Sequence, residues 1–435
     1  MRHRDAGEAV LAGLRQWGLP DAEVYLKSGR NRRLHRTAAG PEHQVVAEEG
    51  WAVRAGDRRA SFFVAGTGVP EPEGPWPAPG GMPLQLPDPA PVLRWSEPKD
   101  LEAPLLTELE GHTLLDAIAA ALAEELPGAR VDDAVLEDGS SESTLLSSRG
   151  IRAGWRHRVA LLRLAASIPA AGVHATLEQT VRDARRLQPR LLARALADRL
   201  AVRAKGVVAH DHPGDVVLAP AVAARVVALL LPLLVGPEAS SRVARLVDGE
   251  GRLGSPLWNV VDDGRLPAGL LAAAVDGEGV PTRPLPIVEG GAFRQPLLAW
   301  WQARGGGTPT SGCSQRPGYR DPPRPGPSHL YVRPQDGVRP AALVADLERG
   351  CYLLDVDGGG AADLAGDRFC LPVCGFLIAA GASRGPFARS WLCGSVSGLL
   401  RGLVGVARDL AFLPLGGMIG SPTLRLSGLQ VRGEP

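Results

Sequence analysis

The sequence reads as an α+β protein of two domains: an N-terminal domain of a sheet with helices over residues 1–205, and a β-rich C-terminal domain over 206–435. Three observations predict this. The chain has 435 residues, more than one hydrophobic core usually holds. Its first half mixes helical and two-residue apolar periodicity. Beyond an apolar helix at 220–235, short strand-like runs and glycine turns take over.

The first half opens with a predicted helix from about Ala6 to Trp17, apolar at Val10, Leu11 and Leu14 and ended by Gly18 and Pro20. Period-two alternation then marks strands at 22–28, 43–49, 51–55 and 61–65, with Gly56-Asp57 as a hairpin turn. Residues 66–100 are so rich in Pro and Gly that they read as a long excursion with the character of a disordered surface loop. A helix from about His112 to Glu125 follows. Strands are predicted at 130–136, 143–148, 152–158 and 160–168, with a turn at Ser147-Ser-Arg-Gly150, and a helix spans 187–205. The loop signal His210-Asp-His-Pro-Gly214 places the domain boundary near 200–213.

The longest apolar run in the chain is Asp215 to Gly236. Its length would suffice to span a membrane. Against that stand Arg225 at its centre, Pro220 and Pro232 within it, and Asp215 and Glu238 around it, so it reads as a buried soluble helix over 220–235 with Pro220 in its first turn. Further strands are expected at 266–275, 285–289, 292–300, 328–333, 351–356 and 424–431. Helices are expected at 340–350 and about 395–411, and a Gly/Pro loop at 305–327.

With 48 basic against 47 acidic residues the net charge is +1, so no global field recruits nucleic acid or an anionic membrane. The N-terminus lacks the apolar stretch of a signal peptide, which points to the cytoplasm. Five cysteines, an odd number, argue against a disulfide framework and for reduced thiols.

Candidate chemistry is sparse. His210 and His212 could share a metal with Asp211 or Asp215 if they lay on one strand face, but Pro213 and Gly214 favour a solvated turn. Cys370 and Cys374 lack metal-site spacing and read as buried small hydrophobes. Cys393 could act as a nucleophile only with His329 beside it. The segments Val261-Asp-Asp-Gly264 and Val275-Asp-Gly-Glu-Gly-Val-Pro281 invite a hard-cation reading through Asp276 and Glu278, yet suit Asp-Gly turns between strands better. No P-loop, dinucleotide fingerprint, nucleophile elbow or HExxH is present.

One resemblance runs through the chain. Ser255-Pro-Leu-Trp-Asn-Val-Val-Asp-Asp263, Asp276-Gly-Glu-Gly-Val-Pro-Thr-Arg283, Trp300-Trp-Gln-Ala-Arg304, Pro325-Gly-Pro-Ser-His-Leu-Tyr-Val332 and the closing segment from Gly416 to Val431 resemble the TldD/PmbA family. Ala22-Glu-Val-Tyr25 and Glu48-Glu-Gly-Trp-Ala-Val-Arg54 are similar to its N-terminal domain. Residues 308–325 match only loosely.

The resemblance implies paired subunits. A TldD-type chain carries His-Glu-x-x-x-His on a helix and, with a distant cysteine, binds zinc for peptide-bond hydrolysis; a TldE-type (PmbA) chain lacks the motif. Counting on from Val217-Leu-Ala-Pro220, which is similar to the turn before that helix, puts Ala228, Leu229 and Pro232 where the two His and the Glu would fall. None can bind zinc or serve as a base. The expectation is therefore a non-catalytic TldE-type subunit of a heterodimer acting on peptides or unfolded segments. No catalytic, metal or cofactor residue is expected in this chain, and zinc is expected in the TldD-type partner. The alternative is a stand-alone peptide-binding or scaffold protein, homodimeric or not. A hydrolase built on His210, His212 and Asp215 is a third reading.

Overall fold

The computed structural model describes all residues except 1, 38–39, 75, 93, 210–213, 306–311 and 434–435. Its N-terminal part is one antiparallel sheet with helices on one face. Helix α1 (Arg2–Gln16) leads into strands β1 (Asp21–Thr37), β2 (Gly40–Gly56) and β3 (Ser61–Thr67); α2 (Glu108–Glu125) leads into β4 (Arg130–Ser147), β5 (Arg152–Ile168) and β6 (Val173–Val181), and α3 (Pro189–Lys205) closes the unit. The strand order is β3-β2-β1-β4-β5-β6. Local chemistry explains the helix starts: Thr107 and Glu110 form a reciprocal capping box at α2, and Pro189 opens α3 with its fixed φ. The even-numbered apolar positions of β1, β4 and β5, such as Val24, Leu34, Leu136 and Leu162, pack under the three helices.

The pairs of short strands predicted at 43–49 with 51–55, at 130–136 with 143–148 and at 152–158 with 160–168 are single strands of 17 or 18 residues. Their breaks in hydrophobic pattern are changes of environment along one strand, not chain reversals. The Pro/Gly excursion does not behave as a free surface loop, because Trp76 and Leu86 are buried and Trp76 stacks with Phe62 beneath α1.

In the C-terminal part, strand β7 (Asp215–Leu218) leads directly into α4 (Pro220–Leu234), which is followed by α5 (Ala239–Ala244), β8 (Val260–Asp263), β9 (Pro284–Glu289), β10 (Ala292–Phe293) and α6 (Trp300–Gly305). Then come β11 (Ser314–Gln315), β12 (Arg324–Pro325), β13 (His329–Val332), α7 (Pro340–Ala345), β14 (Arg349–Val356), β15 (Ala361–Asp363), β16 (Arg368–Ala379) and β17 (Ala382–Gly394). The chain ends through α8 (Val396–Arg401), β18 (Leu403–Val406), β19 (Ala411–Pro414), β20 (Met418–Ser421), β21 (Leu424–Leu426) and β22 (Gln430–Arg432). One sheet has the order β10-β9-β8-β13-β20-β19. A second runs β18-β21-β7-β14-β16-β17-β22, with β15 on β16. Helix α4 lies in one apolar core with strands of both sheets: Val222, Val226, Leu230 and Leu233 pack with Leu330 and Ile419 on one side and Leu353 and Leu371 on the other.

The predicted strand at 266–275 is a run of turns, and that at 292–300 shrinks to β10 followed by a helix. The predicted helix at 395–411 stops at Arg401, where the chain turns into β18. Val261-Asp-Asp263 ends the central strand β8, and the expected Asp-Gly turn follows it at Asp263-Gly264, where the Asp263 carboxylate accepts the Arg265 amide at 2.8 Å. Cys370 and Cys393 face each other across the β16–β17 ladder, 4.3 Å apart at Cα, and are joined by a disulfide, against the expectation of reduced thiols. The hairpin register that aligns them is invisible in their sequence spacing. Among the described residues no helix is long and apolar enough to cross a membrane.

Candidate functional site

The sheet's second face carries the odd-numbered residues of β1, β4 and β5, and α1–α3, which pack on the other face, do not cover it. Register fixes the rows across it: Ala52–Tyr25–Leu145–Ala153, then Gly50–Lys27–Ser143–Trp155, then Glu48–Gly29–Ser141–His157. The C-terminal part closes over the first of these rows and over the Gly50 end of the second. Gly279, at φ 81°, sets the Asp276–Val280 turn so close that a Cβ there would stand 2.8 Å from Ile151. Tyr319 packs its ring directly on Gly50.

This closure leaves a cleft of about 770 Å³. Tyr25, Lys27, Ser143, Trp155 and His157 form its sheet wall, and Leu231 and Pro232 of α4, with Val235 just past its end, form the wall opposite. Ala228 and Leu229 are partly buried on the same helix, and Pro232 is exposed toward the cleft. Proline at this point in the helix cannot donate to the Ala228 carbonyl. Arg242 of α5 instead caps the carbonyls of Pro232 and Val235.

A buried ionic knot anchors the closure. Arg54 on β2 grips Glu23 on β1 through two hydrogen bonds of 3.0 and 2.8 Å. Arg316, on the segment after β11, pairs with the same carboxylate, donates from Nε to the Gly277 carbonyl at 2.7 Å and lies over the Tyr25 ring. Burial alone would raise the Glu23 carboxyl, but Arg316 and Arg54 hold it below its ordinary value.

The acidic turn is a structural device. Asp276 accepts from the amides of Glu278 and Val280 at 2.9 Å each and from Ser314 N–H at 2.9 Å, while Glu278 accepts from Trp300 N–H and the Ser314 hydroxyl. Burial, then the neighbouring Glu278 charge, pushes Asp276 up to about 7. The turn expected from its Asp-Gly pattern is present, with Val275 bridged to Pro281.

The remaining candidates fall apart as sites. His210, Asp211 and His212 lie outside the described residues. Asp215 pairs with Arg425 at 2.8 Å. His329 is a satisfied core histidine: Nδ1 meets the Asp263 carbonyl at 3.0 Å, Nε2 accepts from Leu271 N–H at 3.2 Å, and burial drives its pKa down to about 4. Cys393 is tied to Cys370 rather than free beside it, and Cys374 is fully buried. Among the described residues no three His, Cys, Asp or Glu stand together as a metal-binding group. Sequence reasoning missed the sheet wall entirely. Its trace was the polar or small residue at every second position of 25–31 and 139–143, a face without a core beneath it.

Comparison with known proteins supports this architecture. A model described as the PmbA/TldA metallopeptidase C-terminal domain matches residues 212–433. The TldD homologue of Buchnera aphidicola subsp. Schizaphis graminum, described as a metalloprotease, is 24% identical over 198 residues, a match spanning 42% of this chain but only 40% of that protein. The crystal structure of TldE from Thermococcus kodakarensis superposes with a TM-score of 0.86 at 17% identity, covering 98% of this chain and 100% of that one. A putative modulator of DNA gyrase from Thermotoga maritima gives 0.83 at 16% identity, covering 98% and 99% of the two chains. These likenesses concern the fold.

Proposed function

Because this chain belongs to the TldD/PmbA family, we propose that it is a subunit without a metal centre of its own, working beside a TldD-type chain that carries the zinc and the peptide-bond chemistry. The observation that carries the reading is the wall of the cleft. Ala228, Leu229 and Pro232, at the positions the resemblance assigns to the metal-binding motif, lie on the helix that lines it, and their side chains have no donor atom for zinc and no proton acceptor. The residues present therefore do not fit a zinc ion. What the chain retains is the shape: a cleft walled by Tyr25 and Trp155 on one side and aliphatic side chains on the other suits an extended peptide or unfolded segment. The setting proposed is a cytoplasmic heterodimer.

The retained cleft also supports a second reading, a peptide-binding protein that acts alone. Purification separates the two. The isolated chain is expected to hold no stoichiometric zinc and to cleave no peptide, and to co-purify with a His-Glu-x-x-x-His partner whose peptidase activity falls at least tenfold without it. Tightly bound zinc in the isolated chain, or chelator-sensitive proteolysis by it, overturns the first reading; full partner activity in its absence favours the second.

A further inference from the structure

The cleft between the sheet and α4 carries charged residues, yet it offers almost none of that charge to a ligand. Lys27 is paired with Glu48 at 3.2 Å. Arg316 is engaged by Glu23 and the Gly277 carbonyl, and its side chain is 1% exposed. Asp276 is buried, and three backbone amides occupy its two oxygens. The Ser143 hydroxyl is bonded to Tyr25 at 2.8 Å, Gln315 to Ser328 at 2.9 Å, and Thr282 to the Ala273 carbonyl. Arg316 Nη1 and His157 Nε2 have no partner, but both atoms are themselves buried, and burial drives His157 down to about 4, which leaves it uncharged. Arg324, on the β11–β12 hairpin, is the charged lining residue left exposed. The rest of the open surface is apolar. Tyr25 is closed off, 2% exposed with its ring under the Arg316 guanidinium at 4.7 Å. Trp155 beside it, 6.1 Å between ring centroids, is partly exposed and is the large aromatic surface left to the cleft. Across from it stand Leu231, Pro232 and Val235, with Leu271 from the turns after β8.

We propose that this cleft is a subsite for an uncharged, apolar stretch of polypeptide, and that Trp155 is the residue that sets the preference. This rests on the peptide-binding reading above and adds a substrate class to it. An aliphatic side chain seated between Trp155 and Pro232 leaves water and gains apolar neighbours on both walls. A carboxylate or ammonium in the same place loses its hydration, and because the opposite charges of the lining are already engaged, nothing offsets that loss. Arg324 does not change the balance, since an exposed ion pair in water adds little.

The test is fluorescence anisotropy of the full chain with three fluorescein-labelled, C-terminally amidated peptides, Gly-Ser-Ala-X-X-Ala-Ser-Gly, in which X-X is Leu-Leu, Asp-Asp or Lys-Lys. Their flanks and ends are identical, so any difference belongs to the central pair. The Leu-Leu peptide is expected to bind at least tenfold more tightly than either charged one. Trp155→Glu, which puts a carboxylate on the sheet wall, is expected to weaken the Leu-Leu peptide at least tenfold and to raise Lys-Lys above Asp-Asp. Pro232→Glu puts the same charge on the opposite wall, at an exposed helical position that accepts glutamate, and serves if Trp155→Glu lowers the melting temperature. Equal affinity for the three peptides, or tighter binding of a charged one, overturns the apolar preference while the peptide reading stands. An unchanged order of affinities in folded Trp155→Glu overturns the role of Trp155, and in both variants it overturns the cleft as the place where the preference is set. No binding of any of the three overturns the peptide reading itself, and the preference with it.

Discussion

Asp262 lies fully buried on the central strand β8, its carboxylate accepting the Ser328 amide at 2.9 Å. Burial drives its pKa from 3.8 up to about 7, although the amides of Ser328 and His329 oppose the rise. A carboxyl whose pKa is higher folded than unfolded binds its proton more tightly in the native state. Its favourable contribution is complete below about pH 4 and is lost as pH rises to about 7. Asp262→Asn mimics the neutral acid and still accepts the Ser328 amide. Relative to the native protein, this variant is expected to gain stability between pH 4 and 7, on the order of 4 kcal/mol, and to hold the gain above pH 7. Urea unfolding of both proteins across this range checks it, and a pH-independent difference contradicts it. His157 and His329, both driven down to about 4 by burial, pull stability the other way below about pH 6.5, which is why the difference between the two proteins is the informative quantity. None of this is legible from an Asp-Asp pair in sequence. Desolvation is a property of what the fold stacks around a residue, and for His329 the same packing replaces a candidate base with two backbone hydrogen bonds.

Among the elements, α4 was the most legible. Its apolar run, first-turn proline and lack of ionisable side chains apart from Arg225 predict a buried helix, and eight of its residues, from Val222 to Leu234, are buried. Leu230, 8% exposed, sits in the core with both sheets. Leu230→Asp is expected to unfold the C-terminal part rather than merely impair a function, because a carboxylate there has no partner to offset its desolvation; circular dichroism and solubility report it, and a folded, soluble variant contradicts the burial. Less legible were the long strands. Gly50 interrupts the pattern of β2 because Tyr319 occupies the space its side chain would fill, and the polar stretch from Glu137 to Ser143 of β4 lies where one face lines two open cavities instead of a core. The β16–β17 hairpin went unread, since short apolar runs carry no signal that separates buried strand from buried helix.

At the scale of the whole molecule, the closure of the C-terminal part onto the sheet is what makes a site. Arg316 is its bolt, joining Glu23 of β1 to the Gly277 carbonyl of the acidic turn. Arg316→Ala leaves the Glu23 carboxylate buried with Arg54 as its remaining cation, and the expected loss is about 3–5 kcal/mol. Hydrogen exchange should rise both at the start of β1 and in the 276–280 turn, while the α2–α3 core stays protected. Loosening of the turn alone would mean that the knot stabilises the loop and does not join the two parts.

The sequence by itself determined what is local or repeated: the α+β class, the start of the apolar helix at Pro220, the Asp-Gly turn, and the absence of a donor atom at Ala228, Leu229 and Pro232. Each depends on propensity, periodicity or side-chain chemistry within a few residues. Only the tertiary structure decided that Trp155, Tyr25 and Pro232 face one another across a cleft and that Cys370 meets Cys393. Those facts follow from strand register and from the closure of one part on the other, which join residues from 23 positions apart, as with Cys370 and Cys393, to more than a hundred, as with Tyr25 and Trp155, and no local pattern carries that pairing.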